Sequence, residues 1–321
     1  MVRKVIFVGS ASFSGSTVLD MCLGNDPAGF SVGELSYYLN PVKPNYRHAK
    51  CGCGDLQCDI WPRIRQGGAE RAYESIFAAF PEVNFIVDSS KDPFWIDRQT
   101  RYLARKGIET RRIVIWKTPL EIASSYRKRG RFEDWERAWT NYHRIFSSLF
   151  SEWRAIPYSV FANDINGLRR VCEYLAIPYF AGKERYWEKT HHLLFGNNTA
   201  RVHLYEDGSP GFAKMKGRFS AADQARLESE HRRIYYRAVE DSALEAHVGE
   251  RVAKSSQLTS LVGMLEARSV VASTSHWGSG RPRSAAPMAK WELEARRLKR
   301  TAVWAIGRWK YLRGNRVAPG S

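Results

Sequence analysis

Three short runs of bulky apolar residues dictate most of what this chain can become: Val5-Ile6-Phe7-Val8, Phe85-Ile86-Val87 and Ile113-Val114-Ile115-Trp116. Each is apolar at every position rather than at every second one. That is the pattern of a strand covered on both faces. Stretches with helical spacing lie between and after them, from about Ser16 to Gly24, Ala69 to Phe80, Pro93 to Lys106, Leu120 to Lys128, Glu133 to Ser151 and Asp164 to Leu175. A short strand at Gly29 to Val32 and a further one at Tyr158 to Phe161 complete the order. Strands alternating with helices predict a three-layer α/β fold around a central parallel sheet. Ligands of such sheets bind at the carboxyl ends of the strands, which directs attention to the loops after Val8, Val87 and Trp116.

A chain of 321 residues, 44% hydrophobic and 13% aromatic, has the material for a large core, which excludes disorder over most of its length. No apolar run approaches the ~18 residues of a membrane-spanning helix. The sequence opens directly into the first strand pattern, without the features of a secretory signal, so a cytoplasmic protein is expected. The net charge of +17 is uneven, because residues 281–321 hold eleven basic residues and only two acidic ones. Three segments are expected: a main domain over 1–245, a helical segment with a Ser/Gly/Pro linker over 246–287, and a basic amphipathic helix and tail over 288–321. In the last, Trp291, Ala295, Leu298, Ala302, Ala305, Trp309 and Leu312 form one stripe. Such a helix, over 288–313, can lie peripherally on an anionic membrane or dock on the domain. No nucleic-acid module is recognisable, so nucleic acid is not an expected partner.

The first loop is rich in small hydroxyl residues: Gly9-Ser10-Ala11-Ser12-Phe13-Ser14-Gly15-Ser16-Thr17. Placed between a strand and a helix, it is a cradle for an anion, since the first N–H groups of the helix have no internal partner. It is P-loop-like, yet Ser16 stands where a nucleotide triphosphatase needs its lysine. A separate cluster, Cys51-Gly-Cys53-Gly-Asp-Leu-Gln-Cys58 with His48 just ahead, has a spacing that lets three thiolates and one imidazole surround zinc. The alternative is a tight glycine turn with reduced or locally bridged cysteines.

A serine-rich loop without the lysine resembles the 5′-phosphosulfate loop of the sulfotransferases that use 3′-phosphoadenosine 5′-phosphosulfate, bacterial-type members in particular. Four further segments arrive in the family's order. Ser31-Val32-Gly33-Glu34-Leu35 resembles the segment that carries the catalytic base, and Asp88-Ser89-Ser90-Lys91-Asp92-Pro93 the one whose lysine reaches the sulfuryl group. Trp116-Lys117-Thr118-Pro119, with Ser125 and Arg129 following, resembles the 3′-phosphate site, and His192 to Arg201, with one residue more ahead of the arginine, resembles a late H-x-x-x-G-N-x-x-R segment. The likeness covers roughly residues 3–240. It implies transfer of a sulfuryl group from that donor to a hydroxyl of a carbohydrate, glycolipid or lipid-linked metabolite. Glu34 and Lys91 would be catalytic; Ser12, Phe13, Ser14, Gly15, Ser16, Thr17, Lys117, Ser125, Arg129 and Arg201 would hold the donor. The scheme needs no metal. Phe13 and Lys117 stand where the family has arginines, and Thr118 where it has an acid, which leaves a second reading: a membrane-peripheral, nucleotide-binding scaffold without catalysis.

Overall fold

The computed structural model describes residues 2–41, 46, 48–197, 200, 236–271, 288–290, 292–296 and 298. Five strands, β1 (Lys4–Gly9), β2 (Gly29–Gly33), β3 (Phe85–Asp88), β4 (Glu109–Trp116) and β5 (Arg154–Pro157), form one sheet in the order β2-β3-β1-β4-β5. Every pairing is parallel. The alternation of side chains along a strand sorts the apolar runs into two cores. Val5, Phe7, Ile86, Val114 and Trp116 face one layer of helices. Ile6, Val8, Phe85, Val87, Ile113 and Ile115 face the other.

The second layer holds α1 (Ser16–Gly24), which contributes Leu19 and Leu23, and α9 (Ile165–Leu175), which contributes Leu168 and Val171. The first layer includes α5 (Pro93–Ala104), α6 (Pro119–Arg127) and α7 (Trp135–Leu149), with Trp95, Ile122 and Trp139 buried. Shorter helices punctuate the chain: α2 (Leu35–Leu39), α3 (Ile60–Gln66), α4 (Ala72–Ala79) and α8 (Tyr158–Asn163). Two late helices, α10 (Ser242–Lys254) and α11 (Ser256–Ala267), send Leu244, Val248, Leu261 and Leu265 into the first core. The expected segment boundary at 245 falls inside α10.

The strand expected at Tyr158 to Phe161 is instead the helix α8, and the fifth strand lies just ahead of it. Pro157 supplies the reason. It has no N–H to donate to a ladder, and at φ −62°, ψ 138° it caps α8. The expected linker also begins with structure, because Val270 N–H donates to the Ala155 carbonyl at 2.9 Å along the edge of β5.

The helices that follow β1 and β3 lie on opposite faces, since α1 belongs to one core and α5 to the other. The connections from these neighbouring strands therefore diverge and leave a crevice at the carboxyl edge. The tail helix is described only at its start. There Met288 is buried, its N–H donates to Ser148 Oγ at 2.9 Å, and Arg144 pairs with Glu292 at 3.5 Å. Of the apolar stripe, Ala295 and Leu298 are described and exposed, and its other members lie outside the described residues. No described helix is long and apolar enough to cross a membrane.

Candidate active site

A cavity of about 600 Å³ opens at this carboxyl edge, and Ser12, Gly15, Glu34, Lys91, Lys117 and Arg129 all line it. Strand order sets the sequence of chemistry along the edge: Glu34 follows β2, Lys91 follows β3, the serine loop follows β1 and Lys117 follows β4. Three inter-strand steps of ~4.8 Å separate β2 from β4 by about 14 Å, room for an extended anionic ligand.

The serine loop is shaped by left-handed backbone at Phe13 (φ 72°) and Gly15 (φ 95°). Gly15 has no side chain because the ring of Tyr158 occupies the space a Cβ would take. It caps α1 without a side-chain hydrogen bond, so the start of the helix is open to an acceptor. The hydroxyls of Ser10 and Ser14 are buried and have no partner among the described residues. Buried donors without acceptors are costly, and the arrangement suits an anion that would satisfy them. Ser16 and Thr17 are buried in the first turn, and Thr17 Oγ1 accepts from the Asn197 N–H at 3.0 Å.

Glu34 and Lys91 come from different strands and form an ion pair in the cavity wall. Lys91 is held at φ 58° between β3 and α5, where the Asp92 carboxylate accepts from the Phe94 N–H at 3.1 Å and Pro93 occupies the first turn. Gly33 (φ 66°) precedes Glu34, and a Cβ there would collide with the Leu194 carbonyl oxygen. That close approach lets the Glu34 N–H donate to Leu194 O at 2.8 Å while Leu194 N–H donates to Val32 O at 3.0 Å. The segment from His192 to Asn197 is thus laid along β2 and reaches the serine loop through Asn197.

On the other side of the loop, Lys117 Nζ donates to Ser125 Oγ at 3.1 Å and sits 4.8 Å from the centre of the Tyr158 ring. Burial pushes the Lys117 ammonium down to about 8, helped by Arg129 and Lys128 and opposed by Glu121. Thr118, where the resemblance leads one to expect an acid, caps α6: it accepts from the Glu121 N–H, and Glu121 accepts from the Thr118 N–H. Arg129 donates to the Ser125 carbonyl at 2.6 Å, and its guanidinium lies 4.1 Å over the ring of Phe13. Phe13 thus forms a shelf for the Arg129 guanidinium in the cavity wall. Arg201 lies outside the described residues.

Beneath the site, buried polar groups brace the strand ends. Ser89 Oγ donates to Asp20 Oδ2 at 2.6 Å, and burial pushes the Asp20 carboxyl up to about 8. Tyr73 Oη donates to Asp88 Oδ2 at 2.5 Å, and Trp95 Nε1 donates to the same oxygen at 3.2 Å. Sequence reasoning overlooked Asp20 and Tyr73, because an acid and a phenol within helical patterns carry no local signal of such contacts.

The expected zinc ligand set is corrected at one position. The ligand atoms of Cys51, Cys53, Cys58 and His192, not His48, lie within 4.8 Å of one another. His48 is exposed, on the approach to the cysteine turn. His192 reaches the thiols because its own segment packs on the turn, with Gly52 N–H donating to Leu193 O at 2.9 Å.

No family model matches the chain, and no curated protein does. Among solved structures it is similar to the sulfotransferase domain from the curacin biosynthetic pathway, at TM-score 0.47 and 14% identity over 78% of this chain and 98% of that one. The sulfotransferase domain of the Synechococcus PCC 7002 olefin synthase matches at TM-score 0.43 and 16% identity, over 78% and 95% of the two chains. The sulfotransferase from Alicyclobacillus acidocaldarius matches at 0.37 and 16%, over 76% and 100%. These three solved structures are sulfotransferases or sulfotransferase domains.

Proposed function

We propose that the chain transfers a sulfuryl group from 3′-phosphoadenosine 5′-phosphosulfate to a hydroxyl acceptor. The observation that carries the reading is a single cavity that combines a carboxylate–ammonium pair with a serine loop whose buried Ser10 and Ser14 hydroxyls have no partner among the described residues. An inactive scaffold would have no need to hold Glu34 and Lys91 together at the edge of that loop.

The donor supplies an activated sulfur and a phosphate leaving group. The open start of α1, with Ser10, Ser14, Ser16 and Thr17, would hold the 5′ phosphate through hydrogen bonds and the helix dipole. Lys117 and Arg129 would receive the 3′ phosphate, with Ser125 orienting the lysine. In the transfer step, the acceptor oxygen bonds to sulfur as the bond from sulfur to the bridging phosphate oxygen breaks. The acceptor's proton passes to the Glu34 carboxylate. Lys91 turns from Glu34 to the charge that develops on the leaving oxygen, stabilising it electrostatically. Exchange of one partner for another frees the base when the donor arrives. The basic tail favours an acceptor borne on an anionic surface, a glycolipid or lipid-linked hydroxyl.

Incubation with the donor labelled at sulfur, against hydroxyl acceptors in solution and on anionic vesicles, tests the assignment. Transfer is expected, and Glu34→Gln is expected to slow it by at least ~100-fold while leaving adenosine 3′,5′-bisphosphate binding intact. Wild-type turnover in that variant would remove Glu34 from the role of base. A protein that binds the bisphosphate yet modifies no acceptor would favour the scaffold reading.

A further inference from the structure

The cysteine turn and the His192 segment are far apart in the chain and are not used by the transfer chemistry, yet they converge on one point. His192 Nδ1 lies 3.4 Å from Cys51 Sγ and 3.7 Å from Cys58 Sγ, across 141 and 134 residues of sequence. Tetrahedral zinc with sulfur at ~2.3 Å and nitrogen at ~2.05 Å places those atoms about 3.6 Å apart. The two observed separations bracket that value. The imidazole is held by stacking against Phe30, at a ring separation of 5.9 Å and an interplanar angle of 9°, and against Phe80 at 6.3 Å. Its near nitrogen is therefore presented to the thiols without the rotational freedom of a surface histidine. All three cysteines are free thiols.

We infer that Cys51, Cys53, Cys58 and His192 form a structural zinc site that staples the His192–Asn197 segment onto β2. Three thiolates and one imidazole complete a tetrahedral shell and leave no open position, which is the composition of a structural rather than a catalytic site. The backbone shows what such a site would secure. Directly after His192, Leu193 accepts from the Gly52 N–H, and Leu194 exchanges hydrogen bonds with Val32 and Glu34. The ion thus fixes the start of the segment that holds the Glu34 backbone from one side. The ligand set and its anchoring role do not depend on which reaction the cavity performs.

The test is metal content together with amide exchange on the full-length protein. Protein purified without chelator is expected to carry about one zinc per chain, and cobalt(II) replacement should give the strong visible bands of a tetrahedral thiolate site. His192→Ala and Cys58→Ala should each lower zinc occupancy at least ~10-fold, while His48→Ala retains it. Removal of zinc with a mercurial and a chelating dye should strip exchange protection from the Gly52, Glu34 and Leu194 amides. Under denaturing conditions all five cysteines should react as thiols. Zinc-free protein, two missing thiols, or zinc loss in His48→Ala with retention in His192→Ala would overturn the site. Unchanged amide protection after zinc removal would overturn its anchoring role.

Discussion

If Lys117 receives the 3′ phosphate as proposed, its burial should make the affinity for a 3′-phosphorylated nucleotide depend on pH in a range where the ligand's own charge is constant. With the site free, the ammonium titrates at about 8 because burial strips its hydration. A phosphate placed against it restores the ordinary lysine range, so binding selects the protonated form. The protonated fraction falls from about 0.9 at pH 7 to about 0.09 at pH 9, and apparent affinity scales with the competent fraction. Adenosine 3′,5′-bisphosphate should therefore bind about tenfold more weakly at pH 9, a difference of about 1.4 kcal/mol. The phosphates, whose second ionisation is near 6, contribute little to that slope. Calorimetry supplies a second readout, because binding at pH 8 should take up about half a proton, visible as a dependence on the buffer's ionisation heat. Two controls isolate the residue. ADP, which lacks the 3′ phosphate, should show a much flatter profile, and Lys117→Arg should lose the slope because a guanidinium stays charged throughout. Equal affinities at pH 7 and pH 9, or the same slope for ADP, would refute the placement of the 3′ phosphate at Lys117.

Two further outcomes follow from the geometry. Gly33→Ala forces a side chain onto left-handed backbone and against the Leu194 carbonyl, so it should lower stability by about 1–3 kcal/mol in urea unfolding; an unchanged midpoint would mean that the clasp beside Glu34 is looser than described. Asp20 titrates at about 8 when folded and near 4 when unfolded, so its contribution to stability is fully present at low pH and is lost as pH rises through that window. Asp20→Asn, which keeps an acceptor for Ser89 and cannot ionise, should raise the melting temperature at pH 8 by at least about 2–4 °C and leave it nearly unchanged at pH 4. A variant less stable than wild type at pH 8 would show that the buried group is needed as a carboxylate.

Much of the site was legible in the chain because its parts are local. A buried strand, a loop of small hydroxyl residues and a helix start are all written within fifteen residues from Lys4 to Val18, and contacts between neighbouring residues decide their form. The same holds for Asp92-Pro93, which starts α5, and for Thr118-Pro119, whose capping box starts α6. Tyr158 to Phe161 shows where local preference misleads. Its aromatic and β-branched residues suit a strand, but Pro157 ends the ladder, and α8 sends Phe161 into a core with α9. The partner of Lys91, the shelf that Phe13 makes for Arg129, and the replacement of His48 by His192 were decided only by tertiary structure. Each joins residues from different strands or from loops far apart in the chain. His48 is the near imidazole by number, but the packing of Leu193 over Gly52 brings the distant one to the thiols. Sequence pattern determined which elements form and which loops face the ligand edge; only the order in which the sheet stacks its strands determined which side chains meet there.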